Sequence, residues 1–235
     1  MARSIGLPRS PAAVIFDMDG LLFDTEKFYA ESIMTAAREV GCAMSHDVFL
    51  QLVGRAREVN HRFLIEHYGA DYPLEALIAA WGRHFRALTS AGLPLKPGAV
   101  ELLDLLDELG LPRAIATSNT HATIERNLGP LGLAGRFHAV VGHGDYVNGK
   151  PAPDPFLKAA ERLGVAPALC LALEDSHNGV RSASAAGMMA IMVPDLIPAT
   201  DEMHGLCAHV VGDLHAVCLL LETDRQRTGE TSSEP

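Results

Sequence analysis

The sequence predicts an α/β protein: a parallel sheet covered by helices on both faces, with an all-helical segment inserted after the first strand. Three observations predict it. From residue 93 onward, short apolar runs alternate with helix-length segments, the pattern of a parallel sheet with crossover helices. Residues 25–92 carry helical periodicity and no convincing strand. Every group suited to chemistry falls just beyond a predicted strand, where folds of this class bind ligands.

Bulk properties set the limits. The 235 residues, 48% hydrophobic and 20% charged, suffice for a core domain with a smaller insert and describe a folded, not a disordered, chain. A formal charge of -10 argues against nucleic acid or an anionic membrane as partner. It leaves room for a small anionic substrate, since a local cation can overrule the global field. The four cysteines (Cys42, Cys170, Cys207, Cys218) form no C-x-x-C pair and fit a reducing compartment. The apolar run 12–16 is too short for a signal peptide, and no window reaches membrane-span length. The expected location is the cytoplasm.

The elements follow in order. Residues 1–10 are expected to be a flexible terminus. A buried strand over 13–16 opens a core of residues 11–24 and 93–222 and runs into Asp17-Met18-Asp19-Gly20. The insert, residues 25–92, reads as about four helices, with periodic segments over 28–40, 59–68 and 74–88; Gly41, Gly69 and Gly92 fall at helix ends. A helix over 99–109 then precedes a strand over 113–117 that ends in Ser118-Asn119-Thr120. A helix over 122–131, a strand over 138–141 and a loop over 142–153 follow. Asp154 is placed as N-cap, Pro155 as first helical residue and Gly164 as stop of the next helix. A strand over 169–173 ends at Glu174-Asp175, and a small-residue helix over 178–186 leads to strands over 189–193 and 209–211. Asp213 caps a last helix that ends near Leu221, and the polar tail 223–235 is expected to be disordered.

Asp17 and Asp19 alternate at a strand end, so they project to one side. Two crowded carboxylates raise each other's pKa unless a cation joins them, and Mg²⁺ is the usual oxygen-seeking choice. They can instead divide the work, one as nucleophile and one as acid/base; taken alone, D-x-D-G also fits a solvated turn. The other strand ends decide. Asp17, Asp19 and Asp175 supply oxygens for one Mg²⁺, with Glu174 close by. Ser118 adds a hydroxyl beside the amides of a helix N-terminus, and Lys150 adds a positive charge. Such a set suits a phosphate. Asp17 would attack in line to form an aspartyl-phosphate, while Asp19 protonates the leaving oxygen and later deprotonates the hydrolytic water.

The four strand-end motifs also carry a resemblance. Phe16-Asp17-Met18-Asp19-Gly20-Leu21-Leu22-Phe23-Asp24-Thr25-Glu26, Thr117-Ser118-Asn119, Gly149-Lys150-Pro151-Ala152-Pro153-Asp154-Pro155-Phe156 and Leu173-Glu174-Asp175-Ser176 resemble, in order and interval, motifs I to IV of the haloacid dehalogenase superfamily. The resemblance runs over about residues 12–222. The insert resembles the helical cap of the β-phosphoglucomutase-like branch, mostly sugar-phosphate phosphatases. It implies a Rossmann-like core, Asp17 as nucleophile and Asp19 as acid/base. Ser118, Asn119 and Lys150 would hold the phosphate; Asp17, the Asp19 carbonyl and Asp175 would hold Mg²⁺ with support from Glu174. Gly54 and Arg57 match the cap's substrate-facing segment. The cap is expected to close over the core, with Gly20 and residues 93–94 as hinges.

Rival readings differ at single positions. A dehalogenase lacks the second aspartate, and Asp19 is present. The mutase-type cap carries a histidine after motif I and a lysine before the cap glycine; Tyr29 and Val53 stand there, which favours hydrolysis over phosphosugar mutation. A non-catalytic phosphometabolite-binding module would have lost Asp17 or Lys150. The run from Gly144 to Lys150 fits G-x-x-x-x-G-K, but Pro151 replaces the hydroxyl a P-loop needs. The eleven histidines lack zinc-ligand spacing, and Trp81 reads as cap core.

Overall fold

The computed structural model describes residues 6–53, 57–90 and 92–231. In chain order β1 is Ala13–Phe16, and four helices follow: α1 Glu26–Glu39, α2 His46–Leu50, α3 Arg57–Tyr68 and α4 Leu74–Leu88. Then come α5 Ala99–Glu108, β2 Arg113–Ala116, α6 His121–Leu128, β3 Ala139–Val141 and α7 Asp154–Leu163. The chain ends with β4 Cys170–Glu174, α8 His177–Ala185, β5 Met189–Met192, α9 Asp201–Leu206, β6 His209–Val210 and α10 Leu214–Thr231. These form two compact units, Met1–Phe23 with Leu95–Pro235, and Asp24–Pro94.

The first unit is an α/β, Rossmann-like fold. Its six strands pair in the order β3-β2-β1-β4-β5-β6, and every pairing is parallel. All residues of β1, β2, β4 and β5 are buried, as expected of strands covered on both faces. The order matters more than the count. β1 lies at the centre, flanked by β2 and β4, with Phe16 paired to both Ile115 and Leu173. The four strand ends that carry chemistry, those of β3, β2, β1 and β4, therefore lie side by side. No helix among the described residues is long and apolar enough to cross a membrane.

Helix starts follow the side-chain chemistry. Thr120, Ser176 and Thr200 each accept a hydrogen bond from the backbone three residues on, at the heads of α6, α8 and α9. Asp213 does the same for Ala216 at the head of α10, at 2.9 Å. Asp154 does not act as the N-cap expected of it. It is the first residue of α7, and its Oδ2 accepts from the backbone and the side-chain nitrogens of Asn148, at 3.0 and 3.1 Å. The carboxylate closes the loop that holds Lys150 instead of the helix end.

Both termini depart from expectation. The helix expected to stop near Leu221 continues to Thr231, because Leu214, Val217, Leu221 and Asp224 keep one face buried at helical spacing. Arg227 on that helix donates to Asp224 and to the Leu7 carbonyl. Residues 6–10 pack as well: Leu7 is buried, the His209 ring meets the Gly6 carbonyl at 3.0 Å, and Arg9 donates to the Ala168 carbonyl.

The second unit is the four-helix insert. Its best-tied contact joins α1 to α4: Trp81 Nε1 donates to the buried Ser32 hydroxyl at 3.0 Å. Tyr29 stacks on Phe85, with ring centroids 4.5 Å apart, and meets Trp81 edge-on. The helices form a half-open pocket of about 330 Å³, lined in part by Tyr29, Leu52, Asn60, Leu77 and Trp81. Gly54 lies outside the described residues, and so does the side chain of Arg57, which begins α3.

Candidate active site

The Asp17 N–H extends the β1 ladder to the Leu173 carbonyl at 3.0 Å, which brings Asp17 level with Glu174 at the end of β4. Met18 is fully buried, and Asp19 follows it as the turn begins. Gly20 closes that turn with its N–H on the Phe23 carbonyl at 2.9 Å and a φ of 78°. Only glycine fits there: an added Cβ would lie 2.2 Å from Asp175 Oδ2, on top of the conformational cost.

Lys150 reaches in from the loop after β3. Its Nζ donates to Asp17 Oδ1 and to Glu174 Oε1, each at 2.5 Å, with the ammonium 5.0 Å from the centre of the Phe156 ring. Burial works against its charge, but Asp17 and Glu174 together outweigh burial and hold the amine protonated above the usual lysine range. Glu174 is fully buried, and its Oε2 accepts from the Asp175 and Ser176 N–H groups and from the Ser176 hydroxyl at 3.0 to 3.2 Å.

The two aspartates differ in their partners. Burial pushes Asp17 up to about 7; Lys150 opposes this, while the charges of Glu174 and Asp19 add to it. Burial also raises Asp19, to about 6, against a hydrogen bond from Asn119 and the charges of Lys150 and Arg126. That bond runs from Asn119 Nδ2 to Asp19 Oδ2. Asn119 is held in turn by its N–H on Thr117 Oγ1 at 3.2 Å and by its carbonyl, which accepts from His143 N–H at 2.7 Å. Ser118 is exposed just before the head of α6, near the Tyr146 hydroxyl.

Asp17, Glu174 and Asp175 each place a carboxylate oxygen within 4.8 Å of the others, and all three are buried. Among the described residues they form the one group of three or more able to hold a metal ion. Three buried carboxylates face a single ammonium, so the site is short of positive charge. A hard divalent cation with oxygen ligands fits that deficit. The Asp19 carboxylate stands outside the group, on Asn119. His177, two residues after Asp175, bonds the Pro198 carbonyl at 2.9 Å.

Sequence reasoning passed over Tyr146, whose hydroxyl donates to the Thr117 carbonyl at 3.2 Å and ties the loop after β3 to the end of β2. One aromatic in a loop of small and polar residues was the available signal. It also assigned no role to Phe156 or Arg126; only the packing of α6 and α7 brings them within range of Lys150 and Asp19.

A buried carboxylate beside a lysine, a second carboxylate held by an amide and three metal-competent oxygens, all at the ends of parallel strands, define a class. The chain belongs to the haloacid dehalogenase-like hydrolases, whose family model matches residues 11–187. It is 40% identical over 190 residues to a probable pseudouridine-5′-phosphatase of Drosophila melanogaster, covering 77% of this chain and 80% of that one. It is 37% identical over 208 residues to the plasmid protein CbbY of Cupriavidus necator, covering 82% of each. A candidate β-phosphoglucomutase of Thermotoga maritima superposes with a TM-score of 0.73 at 27% identity, covering 91% of this chain and 98% of the other. The protein is thus an enzyme of a family whose similar members include named phosphatases.

Proposed function

We propose that the protein is a Mg²⁺-dependent phosphatase that hydrolyses a small phosphorylated metabolite of the sugar-phosphate kind through an aspartyl-phosphate on Asp17. The observation that carries this reading is the separation of the two acids: Asp17 faces Lys150, while Asp19 stands apart on Asn119 with a pKa of about 6. Asp17, Asp175 and Glu174 would hold the Mg²⁺, with the Asp19 carbonyl as a further oxygen. When bound, the ion supplies charge neutralisation for the phosphate oxygens. Lys150 adds to that neutralisation, and Ser118 and Asn119 orient the phosphate.

Asp17 attacks phosphorus as the bond to the leaving oxygen breaks, and Asp19 gives that oxygen its proton. Asp19, now ionised, takes a proton from water as the water attacks the phosphorus of the aspartyl-phosphate. Phosphate departs and Asp17 is restored. A pKa of about 6 suits a group that must give and then take a proton near neutrality. The insert 25–92 would act as the selecting cap, with Gly54 and Arg57 as its substrate-binding residues. Four free cysteines support a reducing, cytoplasmic location.

The test is release of inorganic phosphate from p-nitrophenyl phosphate and a phosphosugar panel, with and without Mg²⁺, in wild type and Asp17→Asn. Metal-dependent release that falls by roughly 10³-fold or more in the variant is expected. Equal rates in the two proteins would overturn the reading. Conversion of a phosphosugar to its isomer without net phosphate release would assign the mutase reaction instead.

A further inference from the structure

Gly179 is the third residue of α8, three positions after the helix N-cap Ser176. Its φ is not positive, so the backbone does not call for glycine. Helix propensity points the other way, since alanine is the better helix former of the two. What excludes a side chain is space. A Cβ at Gly179 would lie 1.8 Å from Glu174 Cδ, 1.8 Å from Oε1 and 2.0 Å from Oε2, which is overlap with the whole carboxylate. The recess is otherwise closed. Oε1 is taken by Lys150, and Oε2 by the Asp175 and Ser176 amides and the Ser176 hydroxyl, while Ser176 Oγ accepts the Gly179 N–H at 3.1 Å. A fully buried carboxylate tied on both oxygens has no second place to go.

We propose that Gly179 is a positioning residue: the side chain it lacks is the recess that seats Glu174, and through Glu174 it fixes the Lys150 ammonium on Asp17. The kinetic consequence rests on the proposed phosphatase reading; the geometric one does not.

The experiment compares Gly179→Ala, Glu174→Ala, the double variant and Gly205→Ala. The last is a control in α9, where an added Cβ meets nothing within 4 Å. The crystal structure of Gly179→Ala is expected to show the Glu174 carboxylate displaced and Lys150 Nζ drawn off Asp17. With p-nitrophenyl phosphate, kcat should fall roughly 10-fold to 100-fold, more than KM rises. In the Glu174→Ala background, Gly179→Ala should cost less than about twofold further, and Gly205→Ala should match wild type. A Glu174–Lys150 pair unmoved in Gly179→Ala, or the same fold loss in both backgrounds, would overturn the proposal. If Gly179→Ala does not fold, the double variant decides: recovered folding supports the proposal and continued misfolding overturns it. If wild type releases no phosphate, the functional reading has failed and the crystal structure alone judges Gly179.

Discussion

Asp17 and Asp19 are the same side chain two residues apart, and their neighbours make them different. Lys150 bonds Asp17 directly, whereas an uncharged amide bonds Asp19. Lys150 works against burial at Asp17 and favours the ionised form that attack requires, while burial, opposed by the Asn119 amide, raises Asp19 to about 6, where it can hold a proton and still give it up. This separation makes a kinetic prediction. On the proposed mechanism, Asp19→Asn keeps the attack by Asp17 but loses the base for hydrolysis, so turnover of an alkyl phosphosugar should drop by roughly 10²- to 10⁴-fold. With p-nitrophenyl phosphate, whose leaving group needs no proton, the variant should give a burst of nitrophenolate and gain one phosphoryl group by intact mass. Slow turnover with no burst and no adduct would reject this division of roles.

At the scale of elements, the site is a product of strand order. β1 carries both aspartates, β4 delivers Glu174 and Asp175, and β2 delivers Ser118 and Asn119; the loop after β3 crosses back to supply Lys150. The apolar strand runs and their polar ends were legible in the sequence, because a strand covered on both faces has to be continuously apolar. Helix ends were less so. Asp154 precedes Pro155 in a pattern that suits a cap, yet its carboxylate serves Asn148 across the loop. The last helix outran its apolar stripe because Asp224 is buried against Arg227, which a reading of apolar periodicity takes for solvated tail. Ending the chain after Leu221 should therefore cost about 1–2 kcal/mol, by removing the bonds of Arg227 to Asp224 and Leu7, and should lower Tm by a few degrees. The site, which lies at the other strands, should keep its kcat. Thermal unfolding of the truncated chain checks this, and an unchanged Tm would show that the last turns add nothing.

At the scale of the whole molecule, the site sets how stability depends on pH. The folded pKa of Asp17, about 7, and of Asp19, about 6, both exceed the unfolded value of 3.8. The metal-free folded state therefore binds these protons more tightly than the unfolded chain. Their contribution is most favourable at low pH and is lost as pH rises through about 6 and 7. Asp145, held well below the ordinary carboxylate range by Arg162 and its other partners, titrates under that window and does not offset it. In EDTA, Tm should fall from about pH 5 to 8, and Asp17→Asn should flatten the fall. Adding Mg²⁺ should restore Tm, more so at higher pH, because the cation competes with the Asp17 proton. A metal-free Tm that rises across this range would contradict the burial of both acids.

The sequence by itself determined the fold class, the alternation of strand and helix, the helical insert, and the family through four motifs in a set order. These rest on local patterns: apolar runs, turn residues and short spacings that survive without a three-dimensional frame. Only the tertiary structure decided which groups meet. Lys150 bridges Asp17 and Glu174, which lie 133 and 24 residues away, because β4 pairs with β1 and the loop after β3 folds back. Tyr146 reaches Thr117 for the same reason. Gly179 is opposite Glu174 because α8 begins directly off β4, and a glycine that reads as one small residue among several turns out to be the space a buried carboxylate occupies. Burial and charge at a site come from neighbours distant in the chain, so they belong to the folded molecule and not to the string of residues.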